Sequence, residues 1–196
     1  SYSVTGVQTC ALPISFADRD LKTGLYYSLL DWHHPDYPLD GFHPLRDDME
    51  ARDREAHRDI RNYVPYLHGQ VTELLSTFDG FDILWLDFSY DYKDWGWSKG
   101  KGAADWRAAE LLAEIRRRRP RMLVNDRMGV PGDVKTPENH TPLGPWLDEN
   151  GEPVLWETCQ KLWGTWGGWG YNRDMGNAKW KSVKMLVETL VDVVSK

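Results

Sequence analysis

The stretch Phe81-Asp82-Ile83-Leu84-Trp85-Leu86-Asp87-Phe88 decides the fold class of this chain. A short apolar run bounded by a Gly-containing turn signal predicts a buried strand. Asp87 closes the run, where a carboxylate avoids the several kcal/mol that burying an unpaired charge within a strand would cost. In parallel α/β folds the carboxyl ends of the strands carry the chemistry. Asp87 is therefore the first candidate functional residue.

Strand patterns and helix patterns alternate on both sides of this run. Alternation of this kind, with chemically rich residues after each strand, is typical of a parallel α/β barrel. The chain has 196 residues, whereas a usual eight-stranded barrel has about 250. We therefore predict an α/β fold that forms part of a parallel (β/α) barrel, lacking the early strands and the C-terminal end. The predicted elements are strand 24–30, helix 64–78, strand 81–88, helix 103–119, strands 122–124 and 154–156, and helix 183–194.

Composition excludes some classes of partner. The formal net charge is −6, which argues against a nucleic-acid partner because phosphate binding needs a concentrated positive field. No run of 18 apolar residues occurs, so no membrane span is predicted. The 11 Trp residues exceed what a core of this size needs, and indole rings often pack on the apolar faces of sugars.

The N-terminal segment 1–14 differs from the rest of the chain. Residues 4–14 show neither helical nor strand periodicity, and their back-translation resembles a sequencing-adaptor primer read in frame. We expect the native sequence to begin near Ser15. Outside this segment Cys159 is the only cysteine, so no intramolecular disulfide is predicted.

Asp87 and Glu138 are two carboxylates that follow neighbouring predicted strands, and a glycosidase needs such a pair. Asp87 closes one strand, and Glu138 lies in the long loop that leaves the next. Retaining glycosidases hold a nucleophile and an acid/base about 5–5.5 Å apart. Other interpretations stay open: Asp87 is a helix cap or salt-bridge partner, and Glu138 is a solvated loop acid. His33 and His34 show no metal-ligand spacing with other residues, and we interpret them as loop residues.

Six motifs occur in a fixed order along the chain. The first runs over residues 24–32 and the last over residues 169–174. The four between them are Leu84-Trp85-Leu86-Asp87, Val124-Asn125-Asp126-Arg127, Thr136-Pro137-Glu138 and Trp156-Glu157. This series resembles family-29 glycoside hydrolases, the α-L-fucosidases. The resemblance covers about residues 21–196, and the six motifs together are far more specific than any one of them.

The resemblance implies roles for the two carboxylates. Asp87 would be the nucleophile and Glu138 the general acid/base of a retaining exo-α-L-fucosidase that forms a covalent fucosyl intermediate. Glu157 is the competitor for the acid/base role and otherwise a substrate-site residue that orients its neighbours. Residues 15–196 would then be a fragment of a glycosidase catalytic barrel.

The resemblance also implies the other components of the site. Tyr26, Trp85 and Arg127 would contact the sugar of a fucosylated oligosaccharide or glycoconjugate, with no metal and no organic cofactor. The family also uses a His-His pair from a strand earlier than Tyr26, and His33-His34 follows the wrong strand to be that pair. The alternatives are a non-catalytic sugar-binding barrel and an inactive truncated fragment.

Overall fold

The computed structural model describes residues 15–16, 18–78, 80–163, 169–170, 173 and 180–196. The chain divides into two compact units, Ser1–Asp133 and Val134–Lys196. The segment 1–14, predicted to be non-native, lies outside the described residues, as do Tyr171, Asn172 and Asp174, half of the motif at residues 169–174.

The first unit is built on a parallel sheet. Its described strands are β1 (Gly24–Ser28), β2 (Ile83–Asp87) and β3 (Leu123–Val124), in the spatial order β1-β2-β3. Ser28 lies opposite Asp87 in the β1–β2 register. Chain order and spatial order agree, and both pairs are parallel. The predicted α/β class with a parallel sheet is therefore confirmed, and the described strands form an open sheet.

Helices connect these strands, as parallel pairing requires. The helices of the first unit are α1 (Met49–Arg54), α2 (Ile60–Thr77), α3 (Ala103–Trp106) and α4 (Ala108–Arg118). The helix α2 begins four residues earlier than predicted because the Asp59 side chain caps it, accepting the Arg61 N–H at 2.8 Å. Helix α2 contacts both α3 and α4.

The predicted helix 103–119 is wrong in one respect, since the structure contains two helices there. Arg107 breaks the helix with a left-handed backbone, φ 49°. The neighbouring Trp106 is fully buried, and its carbonyl contacts Nε2 of His68 at 2.8 Å. Its indole N–H also donates to Ser89 Oγ at 3.2 Å. Tertiary contacts of Trp106 therefore override the helical pattern of the sequence.

The core lies between the sheet and the helices. Leu84 and Leu86 alternate with Trp85 and Asp87 along β2, so the two leucines point to one face of the sheet and the other pair to the opposite face. Both leucines are buried with residues of α2 and α4, including Leu67, Val71, Leu111 and Ile115. Among the described helices, none is long and apolar enough to cross a membrane.

In the second unit two segments run side by side. Isolated parallel bridges join Lys135 to Trp156 and Glu138 to Cys159. The predicted strand 154–156 is wrong, because Pro153 bridges Leu147 in the antiparallel sense and only Trp156 joins the parallel partner. The predicted final helix is confirmed as α5 (Val183–Val194), whose apolar side chains are mostly exposed.

Candidate active site

Asp87 lies at the carboxyl end of the central strand β2, and its side chain is only 12% exposed. The sheet fixes its backbone, because the Leu29 N–H donates to the Asp87 carbonyl at 3.0 Å. Since Trp85 and Asp87 are two residues apart, their side chains share one face of the sheet. The face opposite to the helix-packed core therefore carries the candidate nucleophile.

The two oxygens of the Asp87 carboxylate have different partners. Oδ1 accepts a hydrogen bond from Arg127 Nε at 2.7 Å and another from the Phe88 N–H at 2.9 Å. Oδ2 accepts a hydrogen bond from the Tyr26 hydroxyl at 2.9 Å. Charge-assisted hydrogen bonds of this length are among the stronger ones in proteins. A carboxylate of low exposure is thus held in one orientation.

Three of the predicted sugar-contacting residues surround this carboxylate. Tyr26 lies opposite Trp85 in the sheet register, and their rings stack at 5.5 Å between centroids, 24° apart. The guanidinium carbon of Arg127 lies 5.2 Å from the centroid of the Trp85 ring, a cation–π distance. The structure therefore brings Tyr26, Trp85, Asp87 and Arg127 together.

Tyr26 is 57% exposed, but its hydroxyl is directed at Asp87. Partial burial, followed by the hydrogen bond to Asp87 and the charge of that carboxylate, raises the pKa of Tyr26 well above its ordinary value, while the Arg127 charge opposes the shift. The hydroxyl therefore stays protonated and donates throughout the usual pH range.

Sequence reasoning missed the role of Asn125. This buried amide accepts the Leu86 N–H at 2.9 Å and donates to the Leu86 carbonyl at 3.0 Å. The strand β3 is only two residues long, so its backbone does not reach Leu86. The Asn125 side chain makes the two hydrogen bonds to Leu86 that a longer strand would have made. Arg127 follows two residues later, so Asn125 fixes the chain from which the guanidinium reaches Asp87. The sequence feature that could have indicated this role is a polar residue, Asn125, placed between the end of β3 and Arg127.

The two remaining candidate residues lie in the second unit. Glu138 is exposed, and its backbone is held by the bridge to Cys159 and by the neighbouring bond from the Asn139 N–H to the Cys159 carbonyl, 2.8 Å. Glu157 is partly buried, and its Oε1 accepts the Thr136 hydroxyl at 3.0 Å. The backbone of Glu157 is paired as well, because its N–H donates to the Lys135 carbonyl at 2.9 Å.

Comparison with known proteins identifies the family. The model of the alpha-L-fucosidase family matches residues 11–196. The chain belongs to the alpha-L-fucosidase family. Among the curated alpha-L-fucosidases, the human plasma protein is 26% identical over 194 residues, covering 94% of this chain and 35% of that protein. The rat tissue alpha-L-fucosidase is 24% identical over 180 residues, covering 90% of this chain and 34% of that protein.

A solved alpha-L-fucosidase supports the same assignment. Alpha-L-fucosidase isoenzyme 1 from Paenibacillus thiaminolyticus superposes with a TM-score of 0.75 and 37% sequence identity, covering 94% of this chain and 43% of that chain. The chain thus spans about a third of the length of these curated relatives and less than half of this solved one. These relatives are alpha-L-fucosidases, which are glycoside hydrolases.

Proposed function

We propose that this chain carries the nucleophile of a retaining exo-α-L-fucosidase that acts on terminal α-L-fucosides of oligosaccharides or glycoconjugates. The observation that supports the proposal most directly is the division of hydrogen bonds on Asp87. Arg127 and the Phe88 N–H hold Oδ1, while Oδ2 accepts only the Tyr26 hydroxyl among the described residues. Oδ2 is therefore the better oxygen to attack the anomeric carbon.

The proposed reaction has two steps. In the first, Asp87 Oδ2 bonds to the anomeric carbon while the bond to the leaving oxygen breaks and Glu138 gives that oxygen its proton. In the second, Glu138 takes a proton from water as the water oxygen attacks the same carbon and the bond to Asp87 breaks. Two inversions give net retention of the anomeric configuration.

The surrounding residues would stabilise this reaction. Arg127 balances the carboxylate charge and carries N–H donors suited to sugar hydroxyls. The Tyr26 oxygen, whose proton is donated to Asp87, would accept a hydrogen bond from such a hydroxyl. The stacked rings of Tyr26 and Trp85 give an apolar surface beside the nucleophile, suited to the C–H face of a deoxy sugar. We also propose that the parallel sheet is part of a (β/α) barrel, because active sites of barrels lie at the carboxyl ends of the strands.

The test is hydrolysis of an aryl α-L-fucoside by the chain, beside an Asp87→Gly variant and with azide as a substitute nucleophile. We expect the variant to lose turnover by several orders of magnitude and azide to restore part of it. Asp91→Gly serves as the matched control, because Asp91 is an exposed carboxylate in the same loop.

A second readout does not need complete turnover. A 2-fluoro fucosyl fluoride reacts with the nucleophile in the first step, and the resulting covalent adduct is hydrolysed only slowly in the second. Intact-mass spectrometry therefore detects the labelled chain. The label should map to Asp87 and be absent in Asp87→Gly. Binding of fucose with neither hydrolysis nor label would favour the non-catalytic sugar-binding alternative.

A further inference from the structure

The residue after the candidate nucleophile has an unusual backbone. Phe88 has φ 82°, in the left-handed region that a bulky residue rarely adopts. A backbone of this kind persists only where the surrounding structure imposes it, and such residues cluster at functional sites. The same residue donates its N–H to Asp87 Oδ1 at 2.9 Å. The unusual backbone and a hydrogen bond to the carboxylate thus occur in one residue.

The chain is fixed on both sides of Phe88. Before it, the Asp87 carbonyl is paired with the Leu29 N–H across the sheet. After it, Tyr90 is buried, and its N–H donates to the Lys101 carbonyl at 2.7 Å. The span between these two anchors is short, so the backbone of Phe88 has little freedom to relax.

A buried charged cluster holds the Tyr90 side chain. Its hydroxyl donates to Asp40 Oδ2 at 2.7 Å and contacts the Tyr37 hydroxyl at 2.8 Å. The Lys101 ammonium forms an ion pair with the same Asp40 oxygen. Asp40 is fully buried and Lys101 is 5% exposed. Breaking a buried charge pair leaves an uncompensated charge, so this anchor resists displacement.

Asp40 also fixes the loop that follows β1. Its Oδ1 accepts the N–H groups of Phe42 at 3.0 Å and His43 at 3.2 Å. A side chain at Gly41 would overlap the indole ring of Trp95, so the loop after β2 packs directly on this backbone. One cluster therefore joins the loops that leave two adjacent strands.

We propose that Tyr90 and Asp40 are positioning residues for Asp87: by anchoring the chain beyond Phe88, they hold its N–H on Asp87 Oδ1. The role in catalysis rests on the proposed function, in which Asp87 is the nucleophile. With Oδ1 held by this N–H and by Arg127, Oδ2 is the oxygen presented for attack.

The first experiment compares thermal unfolding of Phe88→Gly and Phe88→Ala. Both variants lose the ring, and only glycine adopts a left-handed backbone without a steric penalty. At ordinary positions alanine is the more stable of the two. We expect Phe88→Gly to have the higher midpoint, and this advantage to disappear when Tyr90→Phe is added. A higher midpoint for Phe88→Ala, or an advantage unaffected by Tyr90→Phe, would overturn the proposal.

The second experiment measures hydrogen exchange of the Phe88 amide by NMR. Tyr90→Phe removes the hydroxyl that bonds Asp40, and we expect about tenfold faster exchange at Phe88 without a matching change across β2. Tyr66→Phe is the matched control, because Tyr66 also donates to an aspartate, Asp31, at an exposed site. Equal exchange of the Phe88 amide in Tyr90→Phe and wild type would contradict the anchor.

A milder variant and a kinetic readout complete the test. If Tyr90→Phe does not fold, Tyr37→Phe is the milder variant, because it removes only the hydroxyl that contacts Tyr90. Hydrogen exchange of the Phe88 amide should then speed up by a smaller factor. In hydrolysis of the aryl fucoside, Tyr90→Phe should lower kcat several-fold with little change in KM. A wild-type chain with neither hydrolysis nor covalent label would contradict the proposed function. The unfolding and hydrogen-exchange experiments would still test whether Tyr90 and Asp40 position Asp87.

Discussion

Arg127 Nε donates a hydrogen bond of 2.7 Å to Asp87 Oδ1; Asp87 ends β2, and Arg127 follows the adjacent strand β3. The exposed fractions are 26% for the Arg127 side chain and 12% for that of Asp87. Water therefore screens this pair less than it screens an ion pair on an open surface. The pair contributes to stability as well as to the proposed chemistry.

Arg127→Met should destabilise the protein by about 2 kcal/mol, because a hydrogen bond to a charged group is lost and Asp87 stays partly buried. Urea unfolding measures the change. Arg117→Met is the control, since Arg117 pairs with Glu114 on an exposed helix face, and little change is expected. Equal losses in the two variants would show that Asp87 gains nothing from Arg127.

Tyr26→Phe should lower kcat/KM for an aryl α-L-fucoside by about 10- to 100-fold, the equivalent of one charge-assisted hydrogen bond. The ring keeps its stacking on Trp85, so folding should change little. Steady-state kinetics beside urea unfolding separates the two effects. A variant as active as wild type would remove the Tyr26 hydroxyl from the proposed mechanism.

Glu138→Ala and Glu157→Ala should respond differently to the leaving group. Loss of the acid/base slows substrates with a poor leaving group by about 10²- to 10⁴-fold, while a dinitrophenyl fucoside, which needs no protonation, is cleaved nearly as before. We expect this pattern for Glu138→Ala and similar losses on both substrates for Glu157→Ala. The reverse pattern would assign the acid/base role to Glu157.

Stability should fall as the pH decreases below about 6.5, with His43 as one cause. Its Nδ1 accepts the Leu45 N–H at 3.0 Å, and its Nε2 lies 3.1 Å from the Trp32 carbonyl, which assigns the neutral ring. Burial lowers the pKa of His43, although the Trp32 carbonyl and Asp40 oppose the shift. The folded state therefore binds fewer protons than the unfolded chain in this window, and acid favours unfolding.

The measurement is the free energy of unfolding of wild type and His43→Asn, between about pH 7.5 and pH 5. The Asn side chain keeps an acceptor for the Leu45 N–H but does not titrate. We expect the free energy of unfolding of His43→Asn to depend less steeply on pH than that of wild type. His57→Asn is the control, because His57 is exposed, and it should keep the slope of wild type. Identical slopes in wild type and His43→Asn would contradict the prediction.

Local patterns predicted most of the elements. The apolar run ending at Asp87 became β2, and helical spacing located α2 and α5, because burial of one face requires that spacing. The errors occur where distant contacts compete with local pattern. Trp106 contacts His68 and Ser89, which are distant in the sequence, and the helix is interrupted at the next residue, Arg107.

The sequence by itself determined that Asp87 ends a buried strand, because apolar periodicity and strand length are local properties. Its motifs also predicted, through the resemblance to α-L-fucosidases, that Tyr26, Trp85 and Arg127 belong to the same site. Only the tertiary structure decided which carboxylate oxygen each donor takes and that Phe88 adopts a left-handed backbone. The cluster that anchors Tyr90 joins residues 50 and 61 positions apart, and spacing along the chain carries no information about such contacts.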